Sequence, residues 1–167
     1  METERITRMN KRNSVNLLLL NAMIAAIYAV LTLMLSPISY GEIQCRISEV
    51  IVFLAFYNKK YIPGLTVGCI IANLFSPLGM VDICFGTLST IIVCIAMYKS
   101  KNHYVAAALG AIITGIIVGS ELAYVYSIPF VINAIYVAIG EAIILFISAF
   151  IFKGLEKNNK FISMIKE

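Results

Sequence analysis

Charge is scarce in this chain, and histidine is nearly absent. Only 13% of the 167 residues are charged, against 60% hydrophobic. A soluble domain of this length has too little interior to hide so much apolar surface. Strand-like alternation is also missing. The apolar residues come in long blocks, which excludes an outer-membrane barrel and leaves helices in lipid. The one histidine, His103, is near none of the four cysteines in sequence, and Cys45, Cys69, Cys84 and Cys94 form no C-x-x-C pair. That pattern argues against a zinc site, and the cysteines read as small packing residues. Cys45 and Cys84 both fall toward the outer face, but their spacing does not establish a disulfide. No Walker sequence is present, so the chain carries no P-loop nucleotide signature. No nucleophile–base pair stands out, which argues against an integral-membrane enzyme.

What is present is a sorted set of cations. The N-terminus resembles a signal peptide, since Arg5, Arg8, Lys11 and Arg12 precede an apolar stretch from Val15 to Leu35. The stretch is too long for an ordinary signal core, and no small-x-small cleavage site follows. It reads as a retained first transmembrane helix. Six apolar segments can be drawn: 15–35, 47–57, 61–76, 82–98, 103–120 and 127–152. The breaks between them carry turn or polar residues, such as Asn58-Lys59-Lys60 and Pro77-Leu78-Gly79. If all six span, the N-terminal cations, Lys59 and Lys60, Lys99 and Lys101, and the C-terminal Lys153, Lys157, Lys160 and Lys166 share one side. The positive-inside rule makes that side the cytoplasm, with both termini inside. The expected fold is an all-α membrane protein of the cell (cytoplasmic) membrane, a six-transmembrane-helix bundle with short helices 2 and 3. Residues 1–14 form a cytoplasmic segment, 15–152 the helical domain, and 153–167 a basic tail. The net charge of +4 is then topological anchoring and no sign of nucleic-acid binding.

The acids are distributed differently. Glu2, Glu4, Glu156 and Glu167 belong to the inner side. Glu42, Glu49, Asp82, Glu121 and Glu141 lie outside or within the bundle, with Arg46 as their one cation. The positive-inside rule gives acids little weight, so it does not account for this group. Segment 2 has eleven residues and reaches only about 17 Å, against a hydrocarbon core near 30 Å. Pro63 and Pro77 keep segment 3 short as well. With their shared turn pinned at the cytoplasmic surface, the run Tyr40 to Glu49 must dip into the membrane. Irregular backbone at that depth lines a polar cavity or is buried in protein, and short Gly/Pro-broken segments point to a binding site.

Segment 6 supports the same reading. Asn133, Val137, Gly140, Glu141, Ile144 and Ser148 share one face at 3.6 periodicity. Glu141 falls about 20 Å from the segment's start. A charge at that depth costs roughly 2.5–3.5 kcal/mol on insertion scales, so it needs Arg46, a proton or a ligand as partner. Other polar residues keep two readings each. Arg46 and Glu49 form a structural ion pair or shape a pocket. Asp82 caps a helix or touches a ligand. Glu42 fits a capping box with Ser39 or simple exposure. Glu121 reads as a solvated loop acid beyond segment 5 or as a ligand contact. Asn73 and Asn133 bond neighbouring helices or a ligand. The small-residue spacings Gly64-x-x-x-Gly68-x-x-x-Ala72 and Gly115-x-x-x-Gly119 read as internal packing. Ala22-x-x-x-Ala26 and Ala25-x-x-x-Ala29 place small residues on adjoining faces of the first helix.

Three stretches carry a family resemblance. The run Tyr40 to Glu49 (Tyr-Gly-x-Ile-Gln-x-Arg-Ile-Ser-Glu), the stretch Pro63 to Pro77, and Asp82-Ile83-Cys84-Phe85-Gly86 resemble the QueT family. These are substrate-binding S components of energy-coupling-factor (ECF) vitamin transporters. The resemblance runs from about Val15 to Phe152. It implies six helices and an outward-facing pocket capped by the loop after helix 1. The implied partners are a coupling transmembrane subunit and two ATPase subunits, and no cofactor is implied. Ala22, Ala25, Ala26 and Ala29 match the helix-1 pattern that contacts the coupling subunit. The implied substrates are queuosine precursors, such as 7-aminomethyl-7-deazaguanine or queuine.

The chemistry of such ligands suits the acids. A deazaguanine presents a ring N–H and an exocyclic NH₂ on one edge, which a carboxylate accepts in a bidentate pair. A substituent amine is cationic and favours a second carboxylate. Glu141, with Asp82 or Glu49, would supply these two carboxylates. Gln44, Asn73 and Asn133 would read the ring, Arg46 would orient Glu49, and Tyr40 or Phe85 would stack on the base, worth about 1–3 kcal/mol. The rival reading is a stand-alone secondary transporter of a small cationic or nucleobase-like solute, using Glu141 as a proton relay.

Overall fold

A computed structural model of the protein describes residues 2–40 and 46–166. All regular structure among them is helical. Helix α1 runs Glu2–Met34 and is followed by one short turn, α2 (Ser36–Ser39). A 3-10 stretch, Ile47–Phe53, runs into α3 (Leu54–Tyr57), and another, Lys59–Tyr61, into α4 (Ile62–Asn73). Then come α5 (Met80–Lys99), α6 (His103–Tyr126), α7 (Phe130–Leu155) and α8 (Asn159–Lys166).

Four helical stretches are long and apolar enough to cross a bilayer: Ser14–Met34, Met80–Lys99, His103–Tyr126 and Phe130–Leu155. Their outer faces carry large apolar side chains such as Leu18 and Phe150, 70% and 73% exposed, which suits lipid and not water. The chain is a multi-pass membrane protein. The two short helical stretches, Ile47–Tyr57 and Ile62–Asn73, stand where short segments 2 and 3 were expected.

The helices form a ring in which α1 neighbours α4, α4 neighbours α5, α5 neighbours α6, and α6 neighbours α7. The 3-10 stretch before α3 fills the gap between α7 and α1. Small residues set the closest approaches. A Cβ added at Gly68 would stand 2.7 Å from the Tyr28 Cβ and 3.0 Å from the Ala25 Cα. Asn21 fastens the same joint: its Oδ1 accepts from the Gly64 N–H at 2.7 Å, and its Nδ2 donates to the Lys60 carbonyl at 3.0 Å. On the far side of the ring, a Cβ at Gly119 would lie 2.6 Å from the Ala134 Cα.

Two boundaries depart from the sequence expectation. Helix α6 continues past residue 120 to Tyr126, because nothing in Glu121–Tyr126 breaks a helix. It stops at Ser127, which takes a left-handed conformation (φ 55), and Pro129 follows. The expected loop acid Glu121 is therefore inside a helix and fully buried. The C-terminal region is also more than a basic tail. Helix α8 packs Phe161 and Ile165 against the core, and the Tyr61 hydroxyl donates to the Ile165 carbonyl at 2.9 Å.

The end of the bundle near α8 is filled with rings. His103 lies between Phe56, at 4.3 Å between centroids, and Phe53, at 6.2 Å. Phe152 stacks on Phe53 at 5.8 Å, and the Tyr57 hydroxyl meets His103 Nε2 at 2.9 Å.

Candidate functional site

The opposite end of the bundle holds the polar residues. Arg46, with extended backbone, enters the 3-10 stretch and sends its guanidinium inward. Its Nη2 donates to Asp82 Oδ1 at 2.9 Å, with both side chains almost wholly buried. Asp82 occupies the first turn of α5, where the helix dipole favours a carboxylate. Asn73, at the end of α4, donates through Nδ2 to the Asp82 carbonyl at 3.0 Å. Gly86 lies one turn further along α5, and a Cβ there would collide with Asn73 Nδ2 and crowd Asp82 Oδ1 at 3.1 Å. The glycine thus makes room for an arginine, an aspartate and an asparagine in one place.

Tyr40 closes this group from the side of α2. Its hydroxyl donates to the Ala72 carbonyl at 2.6 Å, and the Arg46 guanidinium carbon stands 5.8 Å from its ring centre. Burial pushes the Tyr40 phenol up, so it acts as a neutral donor.

Glu49 is placed differently from the sequence expectation. Its partner is the Tyr28 hydroxyl, which donates to Oε1. The expected pairing of Arg46 with Glu49 gives way to Arg46 with Asp82. One 3-10 turn after Arg46, the chain points Glu49 at α1, where Thr32 also donates to Ser48 Oγ at 2.7 Å.

Two spaces adjoin these residues. The larger, about 610 Å³, is lined by Tyr40, Leu122, Tyr126, Pro129, Asn133 and Tyr136, among others. It lies between the end of α2, the end of α6 and the start of α7. The smaller, about 10 Å³, is a narrow cleft bordered by Arg46, Glu49, Ser89, Thr114 and Glu141. A space of that size holds about one water. Glu141 is eight residues below Asn133 on α7, or about 12 Å deeper. The site therefore has a roomy aromatic mouth and a tight acidic base.

Several buried polar atoms here have no hydrogen-bond partner among the described residues: Asp82 Oδ2, Asn73 Oδ1, Asn133 Nδ2, Glu141 Oε1 and both Glu121 carboxylate oxygens. Buried polar groups are ordinarily satisfied, so their gathering at one end marks a place built to receive something polar.

A family model described as QueT transporter matches residues 18–157. The chain belongs to the QueT transporter family. It is also 38% identical, over 152 residues, to the Queuosine precursor transporter QueT of Lactococcus lactis subsp. cremoris (strain MG1363), covering 81% of this chain and 89% of that protein. No solved structure matches it.

In this QueT-family chain, every described residue named for the site falls inside the matched span. Tyr40, Arg46, Asn73 and Asp82 come together, while Glu49 and Glu141 meet below at the cleft. Asn133 faces the large cavity. Phe85 is half-buried on α5 and lines neither space. Gln44, together with Glu42 and Cys45, lies outside the described residues. The four helix-1 alanines divide into two faces: Ala25 and Ala29 are buried, whereas Ala22 and Ala26 are exposed.

Glu121 was not among the site residues preferred from the sequence, where the loop reading outweighed ligand contact. A signal for it existed: Thr114, Val118 and Glu121 recur at helical spacing, and the first two line the cleft. The premature end drawn at residue 120 hid the pattern.

Proposed function

We propose that this protein is the substrate-capture subunit of an ATP-driven ECF importer and binds a queuosine precursor in an outward-facing acidic pocket. The family membership supports transport, and the relative's name supports the substrate class. The observation that carries the site is the cluster of unpartnered buried carboxylate and amide atoms beside an aromatic cavity. A 7-deazaguanine carrying an amine suits it on three counts. Its planar face stacks on tyrosines, its N–H edge pairs with a carboxylate, and its cationic substituent is stabilised among acids that outnumber the one arginine.

In this reading six segments cross the membrane, with both termini in the cytoplasm. Tyr40, Gln44, Asn73, Asn133 and Phe85 frame the base. Arg46 holds Asp82 in place, and Glu49 and Glu141 keep the floor acidic. Catalysis has no part in it. A coupling transmembrane subunit and two ATPase subunits supply the energy, with the Ala22 and Ala26 face of α1 as the contact for the coupling subunit. Small residues there let a partner helix approach closely.

The test is binding of 7-aminomethyl-7-deazaguanine and queuine to purified protein without nucleotide. Saturable binding is expected, with adenine and cytosine excluded. Absence of binding across a deazapurine panel sinks the substrate claim. Uptake by the chain alone that collapses with the proton gradient replaces the capture subunit with a secondary transporter.

A further inference from the structure

Glu121 is wholly buried, and neither of its carboxylate oxygens has a hydrogen-bond partner among the described residues. The charges that act on it are those of Asp82 and Arg46. The arginine is already matched to Asp82 at 2.9 Å, so it leaves Glu121 without a cation of its own. A bare buried carboxyl group is unfavourable in either protonation state. The ionised form lacks donors, and the neutral form has both a donor and acceptors to satisfy.

The helix register places Glu121 level with the large cavity, one residue from its lining though not part of it. Gly119 packs directly on Ala134. Glu121 stands two residues above Gly119 on α6, and Asn133 one residue above Ala134 on α7. Their heights along the bundle therefore differ by only about 1.5 Å. Asn133 lines the large cavity with its Nδ2 unpartnered, and Leu122, next to Glu121, lines the same cavity.

The open oxygens distinguish the acids. Asp82 has one, because Oδ1 is held by Arg46, and Glu141, though neither of its oxygens is bonded, borders a cleft too small for a base. Glu121 has both oxygens open and stands clear of that cleft. From this inventory we propose that Glu121 is the carboxylate that reads the edge of the bound base, its two oxygens accepting the ring N–H and the exocyclic NH₂ together. The single open oxygen of Asp82 then serves the ligand's substituent. This assignment rests on the deazaguanine reading above.

The experiment compares two ligands on the same protein: 7-deazaguanine, and 7-deazahypoxanthine, which lacks the exocyclic amine. Wild-type protein should prefer the first by about 5- to 150-fold, the discrimination a bidentate pair supplies. Glu121→Gln should bring that ratio to within about twofold, because an amide offers a donor where the ligand also has one. Glu121→Met carries the same expectation and removes the buried carboxyl altogether, so it should fold at least as well as wild type. An unchanged ratio in either variant, or a wild-type ratio near one, overturns the assignment. Wild-type protein that binds no deazaguanine at all removes the substrate reading itself, a result distinct from an unchanged ratio.

Discussion

Asp82 shows how much of the outer site depends on single atoms. One of its oxygens neutralises Arg46, and its main chain accepts from Asn73. Asp82→Ala leaves a buried guanidinium with no counter-charge, so it should destabilise the protein by roughly 3–5 kcal/mol. Thermal unfolding in detergent checks this, and a loss near zero would mean that Arg46 finds another partner. The sequence identified Arg46 as the one cation among outer acids, since counting requires no geometry. It did not identify the partner. Glu49 is three residues from Arg46 and Asp82 is thirty-six, yet the 3-10 turn at Ile47 directs Glu49 to Tyr28 and the α4–α5 turn brings Asp82 across. Pairing at that separation depends on how two helices meet, and composition does not encode it.

At the level of elements, the joint between α1 and α4 is the one most dependent on an absent side chain. Gly68 sits against Tyr28 and Ala25 with no space for a Cβ, and backbone atoms form much of the obstacle. Gly68→Val should force α1 and α4 apart and lower stability by about 1–3 kcal/mol or more. Melting temperature measures this, and an unaffected value would mean the two helices slide freely. The spacing of Gly64, Gly68 and Ala72 made close packing legible, because small residues at every fourth position form a groove on any helix. The same logic did not distinguish the four alanines of α1, since two adjoining faces carry the same spacing. Helix α8 was illegible for a different reason. Its lysines dominate a short stretch by charge, and the apolar side, Phe161 and Ile165, becomes meaningful only once a core exists to receive it.

For the whole molecule, the proposed orientation makes a prediction that labelling can check. With the four native cysteines replaced by serine or alanine, a cysteine in place of Lys101, in the exposed turn before α6, should react with a membrane-impermeant maleimide only after the cell is opened. A cysteine replacing Ser127, in the exposed turn after α6, should react in intact cells. A swapped pattern would invert the topology and place the acidic cavity on the cytoplasmic side. Charge sorting supplies the proposed orientation at this scale, because lipid imposes one rule on every loop alike. Helix lengths were less readable. The four long spans were found with shifted ends, and the short 3-10 stretch gave no periodic signal of its own.

The ring cluster at the α8 end has a bearing on traffic through the molecule. In the proposed role, a small solute arrives through the cavity beside the end of α2 and the start of α7 without displacing a long helix. Below it, Phe53, Phe56, Tyr57, His103 and Phe152 close the passage with stacked rings tied by a hydrogen bond. Arrival and onward delivery are therefore governed by separate obstacles of unequal size. In the capture role proposed above, the chain left alone is a vessel with one mouth: what enters leaves by the same route, and emptying it at the other end requires work from outside.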